Sequence, residues 1–336
     1  MDRFAHPAPP RTQRARILSV FLPFAGCPQR CLFCNQPAQT GAAPEPLEAV
    51  YARLTALLND TGQEAPQELA FYGGTFTALP APWPRRFLEL AGPHLASGRL
   101  TRLRCSTRPD ALSAPLLAEL KSLGLSLVEL GVQSFNDAAL AACQRGYGGA
   151  AAHQACELVR AMGLDLGVQL MPGLPGQTVA AFREDIARTV ALGPQLTRLY
   201  PCLVLADTRL AELWRDGAYV PWPLDATVDE LARALLALWT GGIPTARIGL
   251  AEQEGLEILA GPRHPALGQL ARSRALFLFI RQRLRQLPAP PFLLLAPRRL
   301  QGEILGQKNA LAGDYAALGL EVRLWDEPDL ALYARD

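Results

Sequence analysis

The chain has 336 residues, 49% of them hydrophobic and 19% charged, enough to bury a large core and too apolar for a disordered segment. Basic residues number 33 and acidic residues 31, a net charge of +2, so no global field announces a nucleic-acid or anionic-membrane binder. Seven cysteines over this length exclude a secreted disulfide framework and point to a reducing compartment.

Residues Met1 to Arg16 carry arginines and prolines but no apolar signal core. Ala275 to Ile280, as long as any apolar run in the chain, is far too short to span a bilayer. A cytoplasmic protein with no membrane partner is expected. Lys121 and Lys308 are the only lysines, a bias better explained by coding composition than by function.

From Ile17 to about Leu205, apolar strand-like runs alternate with helix-period segments, the pattern of a parallel sheet built from βα units. Ile17 to Phe24 reads as a strand; Leu47, Val50, Tyr51, Leu54, Leu57 and Leu58 then share one helical face. Glu68 to Gly73 is the second strand, with a helix over 82 to 96. Leu100 to Thr107 is the third, followed by Ser113 as the cap of a helix carrying Leu116, Leu117 and Leu120. Leu125 to Gln133 is the fourth strand, 137 to 162 one or two helices, and Leu164 to Met171 the fifth strand. The run Pro172-Gly173-Leu174-Pro175-Gly176-Gln177 forces a loop, and Thr178 caps a helix turning Val179, Phe182, Ile186 and Val190 inward. Leu196 to Val204 is the sixth strand.

Past residue 205 the rhythm loosens. A helix near 227 to 240, a strand around Thr245 to Leu250, an amphipathic segment over 265 to 287 and short runs at Phe292 to Ala296, Glu303 to Leu318 and Glu321 to Trp325 suggest a small α/β appendage. Leu287-Pro288-Ala289-Pro290-Pro291 is the linker or hinge candidate. The expected division is a leader over 1–16, an α/β barrel domain over 17–250 and an appendage over 251–336.

The chemistry centres on Cys27-Pro28-Gln29-Arg30-Cys31-Leu32-Phe33-Cys34, three thiols on one loop directly after the first strand. Thiolates select zinc, copper(I) or iron–sulfur clusters. No second pair of ligands at zinc spacing stands nearby. A 4Fe–4S cluster held by three cysteines would keep one iron open to a small molecule; zinc or a coincidental trio are the other readings of the spacing alone.

This octet resembles the cluster loop of the radical S-adenosylmethionine (SAM) superfamily. The resemblance implies a partial (β/α)6 TIM-type barrel, a 4Fe–4S cluster on Cys27, Cys31 and Cys34, and SAM bound at the open iron and cleaved to a 5′-deoxyadenosyl radical. It also implies a one-electron reductase of flavodoxin or ferredoxin type as partner. Matching motifs lie where strands end, the place for function in a parallel barrel. Gly73-Gly74-Thr75 corresponds to the motif on the methionine amino group. Phe33 precedes the third cysteine. Ser106, in Cys105-Ser106-Thr107-Arg108-Pro109-Asp110, and Gln169 fall where relatives place polar residues on the ribose. Gln133, in Gly131-Val132-Gln133-Ser134-Phe135, matches a residue facing the adenosyl group, and Arg145 one that pairs with the methionine carboxylate, a task suited to a guanidinium fork. Tyr200 and Cys202, at the end of the sixth strand, are candidate hydrogen donors, or side chains that simply pack.

As a set, the motifs look most like the branch of the Elongator catalytic subunit, which implies RNA as a candidate substrate, here without an acetyltransferase domain. The oxygen-independent coproporphyrinogen oxidase branch is the other relative. Its oxidases carry a further cysteine where this chain has Gln36. A non-catalytic haem carrier or metal-held scaffold of that branch is the alternative function. The group Arg281, Arg283, Arg285, Arg298 and Arg299 could meet phosphates or form a solvated face. His264, in Gly261-Pro262-Arg263-His264-Pro265, is the one histidine in a loop with a purposeful look.

Overall fold

The computed structural model describes residues 2–10, 16–60, 67–250, 255–287 and 291–334. The proline-rich hinge candidate falls largely on residues 288–290, outside the described residues. The chain opens with a short strand, β1 (Asp2–Phe4), followed by β2 (Arg16–Leu22), which ends at the cysteine loop. Next come the helices α1 (Gln36–Thr40) and α2 (Leu47–Asn59), strand β3 (Gln67–Gly73) and α3 (Trp83–Ala96). On α2, Val50, Leu54 and Leu58 are buried as the 3.6 period requires, while Leu57 turns outward.

The same alternation continues through β4 (Leu100–Thr107), α4 (Ala114–Ser122), β5 (Leu125–Gln133), the pair α5 (Asp137–Ala142) and α6 (Gly149–Ala161), β6 (Asp165–Leu170), α7 (Val179–Leu192) and β7 (Leu196–Leu199). The predicted caps form: the Ser113 side chain accepts from the Leu116 amide, and that of Thr178 from the Ala181 amide. The predicted sixth strand stops at Leu199. After a break, Val204 and Leu205 form β8, which pairs antiparallel with β10 (Ile258–Ala260). Between them lie α8 (Arg209–Arg215), α9 (Leu224–Thr240) and β9 (Thr245–Ile248).

Strand β9 corrects the expected count of six. It pairs parallel with β7, so the sheet has seven strands in the order β2-β3-β4-β5-β6-β7-β9. Ile17, Ser19 and Phe21 of one edge strand and Arg247 of the other line the same cavity. The sheet is therefore curled into a partial barrel with its lumen facing inward.

The appendage differs from its expected bounds at both ends. Helix α10 (Leu267–Leu284) packs along α9, extending the outer helical layer of the barrel. Strand β11 (Phe292–Pro297), the short helices α11 (Gln301–Ile304) and α12 (Ala312–Ala317), β12 (Leu320–Trp325) and β13 (Leu330–Ala334) follow. The residues expected to be a leader supply an edge: β1 pairs antiparallel with β13 in the four-stranded order β1-β13-β11-β12. Phe4 meets Phe279 of α10 edge-on at 5.7 Å, and Asp2 accepts from Arg283 at 2.6 Å. Among the described residues no helix is long and apolar enough to cross a membrane.

Candidate active site

Strand pleating decides which side chains reach the lumen, because alternate residues point to opposite faces. On β5, Glu129, Gly131 and Gln133 face in; on β4, Ser106 does, with Arg108 just beyond; on β7, Arg198 and then Tyr200. These line a cavity of about 420 Å³ together with Tyr72, Gly73 and Gly74 at the end of β3, Gln169 and Met171 at the end of β6, and the cysteine loop. Its size falls within the roughly 300–1,000 Å³ of ordinary small-molecule sites.

Cys27, Cys31 and Cys34 all line this cavity, as do Phe33, Ser106, Gln133, Arg145, Gln169 and Tyr200. Cys27 Sγ lies 3.3 Å from the hydroxyl of Thr75, a buried residue that supports the loop from behind and does not line the cavity. Cys202 is also off the cavity. It is buried with Cys143 and Tyr219 in a second apolar cluster, which makes it a packing residue. Cys105 points away from the lumen and is fully buried.

The loop is seated by backbone packing. Thr75 donates its amide to the Ala25 carbonyl at 2.7 Å. A Cβ at Gly74 would lie 2.0 Å from that same carbonyl oxygen, and one at Gly26, whose φ is +74°, would lie 2.3 Å from the Thr75 oxygen. The glycine at 74 therefore makes room for the cysteine loop as well as for a ligand. Gln36 closes the joint, its Oε1 accepting from the amides of Phe24 at 2.5 Å and Gly74 at 3.1 Å.

The electrostatics around Cys31 are unbalanced. Arg145, buried, donates from Nη1 to Cys31 Sγ at 2.9 Å and from Nη2 to the Gly131 carbonyl at 2.6 Å; Nε reaches the Tyr147 hydroxyl at 3.0 Å. Arg108 places its Nη1 3.8 Å from the same sulfur and grips Asp110 at 2.9 and 2.7 Å. In this structure the Arg145 guanidinium thus serves the thiol and the strand end; it does not present a free fork to a carboxylate. Two buried cations converge on one sulfur with Asp110 as the nearest carboxylate, and uncompensated buried charge is costly. Burial raises the Cys27 thiol against the opposing pull of Thr75. Burial, and then the neighbouring Cys31 and Cys27, raise Cys34 to about 12.

A thiolate-ligated metal centre resolves both tensions, since coordination deprotonates thiols and supplies the missing negative charge. Among the described residues, no three His, Cys, Asp or Glu side chains are arranged to hold a single ion. Three thiols on one loop are a donor set suited to an iron–sulfur centre, whose cysteine ligands stand on separate irons.

Below the thiols the lumen holds a group that motif reading missed. Glu129 accepts from Arg104 at 2.6 and 3.0 Å and from Arg198 at 2.5 Å; Arg104 also donates to Glu68 at 2.8 Å. Arg198 further donates to the hydroxyls of Tyr72 at 2.9 Å and Tyr200 at 3.2 Å. Burial pushes the Glu129 carboxyl up, but Arg198 and Arg104 overcome it and hold the group below its ordinary value. Burial and then Glu129 raise the Tyr72 phenol to about 12. The signal was present: Arg104, Glu129 and Arg198 each interrupt an apolar strand at a lumen-facing position.

At the end of β5, Gln133 has φ +67°, uncommon outside glycine. Gln169 Nε2 donates to Gln133 Oε1 at 3.1 Å, so the partner expected from a ribose is, in this structure, another side chain. Beneath this strand end, Asp185 of α7 accepts from the Ser134 hydroxyl at 2.6 Å, the Phe135 amide at 2.7 Å and Gln177 at 3.0 Å. Of the arginines grouped as a phosphate surface, Arg283, Arg298 and Arg299 are engaged by Asp2, Asp326 and the Pro328 carbonyl.

The profile of the Radical SAM superfamily matches residues 21–188, and that of the Radical_SAM C-terminal domain residues 194–276. A tRNA uridine(34) acetyltransferase of Methanocaldococcus infernus is 31% identical over 158 residues, covering 46% of this chain and 29% of that protein. The corresponding protein of Dehalococcoides mccartyi is 26% identical over 247 residues, covering 63% and 54%. The chain thus spans between under a third and about half of these curated relatives. The solved structure of archaeal Methanocaldococcus infernus Elp3 with an N-terminal deletion shares the fold, with a TM-score of 0.58 at 23% identity over 81% of this chain and 64% of that one.

Proposed function

Because the chain belongs to the radical SAM superfamily, a family of enzymes using a 4Fe–4S cluster and SAM, we propose that Cys27, Cys31 and Cys34 hold the cluster and that SAM binds in the adjoining lumen. The observation carrying this reading is the convergence of three thiols and two buried guanidinium groups on one cavity at the C-terminal ends of the strands. When bound and reduced, the cluster supplies the electron that splits the SAM sulfonium to a 5′-deoxyadenosyl radical.

The chain's own residues bind, orient and shield. Gly73 and Gly74 bring backbone close to the ligand, with Thr75 behind them steadying the Cys27 sulfur. Arg145 and Arg108 offset thiolate charge at Cys31. Gln133, Gln169 and Ser106 offer polar contacts to the nucleoside, and Phe33 covers the loop. Tyr200, whose hydroxyl faces the lumen under Arg198, is the group placed to meet substrate. Such a preformed polar pocket contributes by orientation and by excluding water, while the cofactors carry the hard chemistry.

The hydrogen is taken from a substrate for which RNA is the candidate, on the strength of the tRNA uridine(34) acetyltransferases among the relatives. The setting is cytoplasmic, and the electron donor a flavodoxin or ferredoxin. The alternative of a haem carrier or zinc-held scaffold has no observation in its favour.

Anaerobic reconstitution with iron and sulfide, then dithionite and SAM, is expected to yield 5′-deoxyadenosine, and Cys31→Ala to yield none. One equivalent of zinc with no cluster absorbance, or wild-type protein that leaves SAM intact, overturns the reading. Added transfer RNA is expected to raise the yield; no increase removes RNA and leaves the SAM chemistry standing.

A further inference from the structure

A second cavity, of about 680 Å³, adjoins the first and shares Pro201, Leu203, Arg247 and Leu250 with it. Its other walls include Leu256 and Ile258, the Pro262–Pro265 loop and the first turn of α10. Nothing in the cofactor site described above uses this space.

The loop is built to a fixed shape. Strand β10 is tied to β8, and Gly261 follows it at φ +115°, where a Cβ would lie 3.0 Å from the Leu203 side chain and 3.2 Å from the Cys202 carbonyl oxygen. Only glycine lets the loop press this closely against the segment leaving β7. Arg263 then donates its amide to the Gly261 carbonyl at 2.8 Å, and the His264 carbonyl accepts from the Leu267 amide at 3.1 Å. The positions of Arg263 and His264 are thereby set by backbone.

Among the described residues, the cavity gathers hydrogen-bond donors. Arg247 has one hydrogen bond, from Nε to the Gly249 carbonyl at 3.2 Å, and no carboxylate is paired with it or with Arg263 among the described residues. His264 Nδ1 accepts from the Ala266 amide at 3.0 Å, so a neutral ring carries its proton on Nε2 and can donate there. The first turn of α10 adds amides at the positive end of an 18-residue helix. Arg247 and Arg263 are both exposed residues on the wall of the cavity, so their guanidinium groups are reachable by an entering ligand. Two unpaired guanidinium groups on one concave surface are what a bidentate acceptor requires.

We propose that this second cavity is an anion subsite that takes a phosphate or carboxylate of the substrate while the reacting part occupies the first cavity. Arg247, on the shared wall, faces both compartments and joins recognition to chemistry. Anchoring a remote charged group is a common way to orient a reacting carbon. The orienting role rests on the reading of the first cavity as the SAM site; anion binding stands on the second cavity alone.

The test is calorimetric titration of the reconstituted full chain, at low ionic strength, with sodium phosphate and separately with sodium citrate. Saturable binding is expected, and Arg263→Gln and Arg247→Gln are each expected to weaken it about tenfold, the loss of one charged hydrogen-bonding partner. Arg263→Lys, which keeps the charge and loses the planar fork, should bind more weakly than wild type and more tightly than Arg263→Gln. Tighter phosphate identifies a phosphorylated group as the natural occupant, and tighter citrate a carboxylate. No saturable binding of either anion, or equal binding by wild type and both glutamine variants, overturns the proposal. Formation of 5′-deoxyadenosine by the same preparation reports separately on the SAM site, so either reading can fail without the other.

Discussion

The rim of the barrel cavity and its floor are both polar and both buried, yet they are finished in opposite ways. On the floor, Glu129 receives Arg104 and Arg198, and the spare donors of those arginines go to Glu68, Tyr72 and Tyr200, so the group closes on itself. At the rim, two arginines converge on a single sulfur, and burial raises the thiols of Cys27 and Cys34. A network of matched charges stabilises a shape; at the rim the Arg145 guanidinium meets a sulfur, a carbonyl and a hydroxyl but no carboxylate, which favours an anionic ligand there. Function is therefore expected at the rim, and rigidity from the floor.

The largest expected effect separates the two on activity. Cys34→Ala should abolish cluster absorbance and 5′-deoxyadenosine formation while lowering the melting transition of the apoprotein only slightly, because it removes a single sulfur from the edge of an apolar cluster. Glu129→Gln is the inverse case. It strips the counter-charge from two buried guanidinium groups and should cost about 3–5 kcal/mol of stability, read by urea denaturation of the apoprotein. A small change there would show that the floor is not the clamp it looks to be.

Asp185, which braces the strand end carrying Gln133, gives the next effect through pH. Burial raises its carboxyl from 3.8 to about 6 in the fold, against the opposing pull of Ser134, the Phe135 amide and Gln177. The native state then holds its proton to higher pH than the unfolded chain, so this group's contribution is most favourable below about pH 4. It declines as pH rises towards 6, and the loss is about 3 kcal/mol at 1.36 kcal/mol per unit. Denaturation curves of wild type at pH 4 and pH 7, set against those of Asp185→Asn, should show that slope in the first and not the second. The smallest expected effect returns to the rim. Thr75→Val removes the hydroxyl beside Cys27 Sγ and should cost about 1 kcal/mol and slow cluster assembly, followed by absorbance during reconstitution.

What could be read from the sequence follows the same division. Rim residues were visible because they sit in short contiguous motifs: the thiols within eight residues, Gly73 to Thr75 in a row, Ser106 in a strand-ending run. The floor was not, because Arg104, Glu129 and Arg198 are brought together from three strands by register and pleat, and each looks like a lone charge in its own segment. Strand β9 was expected near its true place, within the 17–250 barrel domain, but not counted among its six strands, since only pairing with β7 shows that it extends the barrel sheet. The role of β1 was hidden for a similar reason: three residues have no period, and their meaning comes from a partner over three hundred residues away. Cys202 misled because nearness to a strand end does not say which face a side chain takes.

The fit between Gly26 and Gly74 has a consequence for how the metal centre is acquired. Main chain lies against main chain there, held by hydrogen bonds that involve neither iron nor sulfide. A loop already fixed loses little conformational freedom when its ligand arrives, and each residue spared that ordering saves roughly 1–2 kcal/mol. Assembly can then proceed as insertion into a waiting mould, and a methyl group at position 26 or 74 would harm uptake of the metal without touching a single ligand.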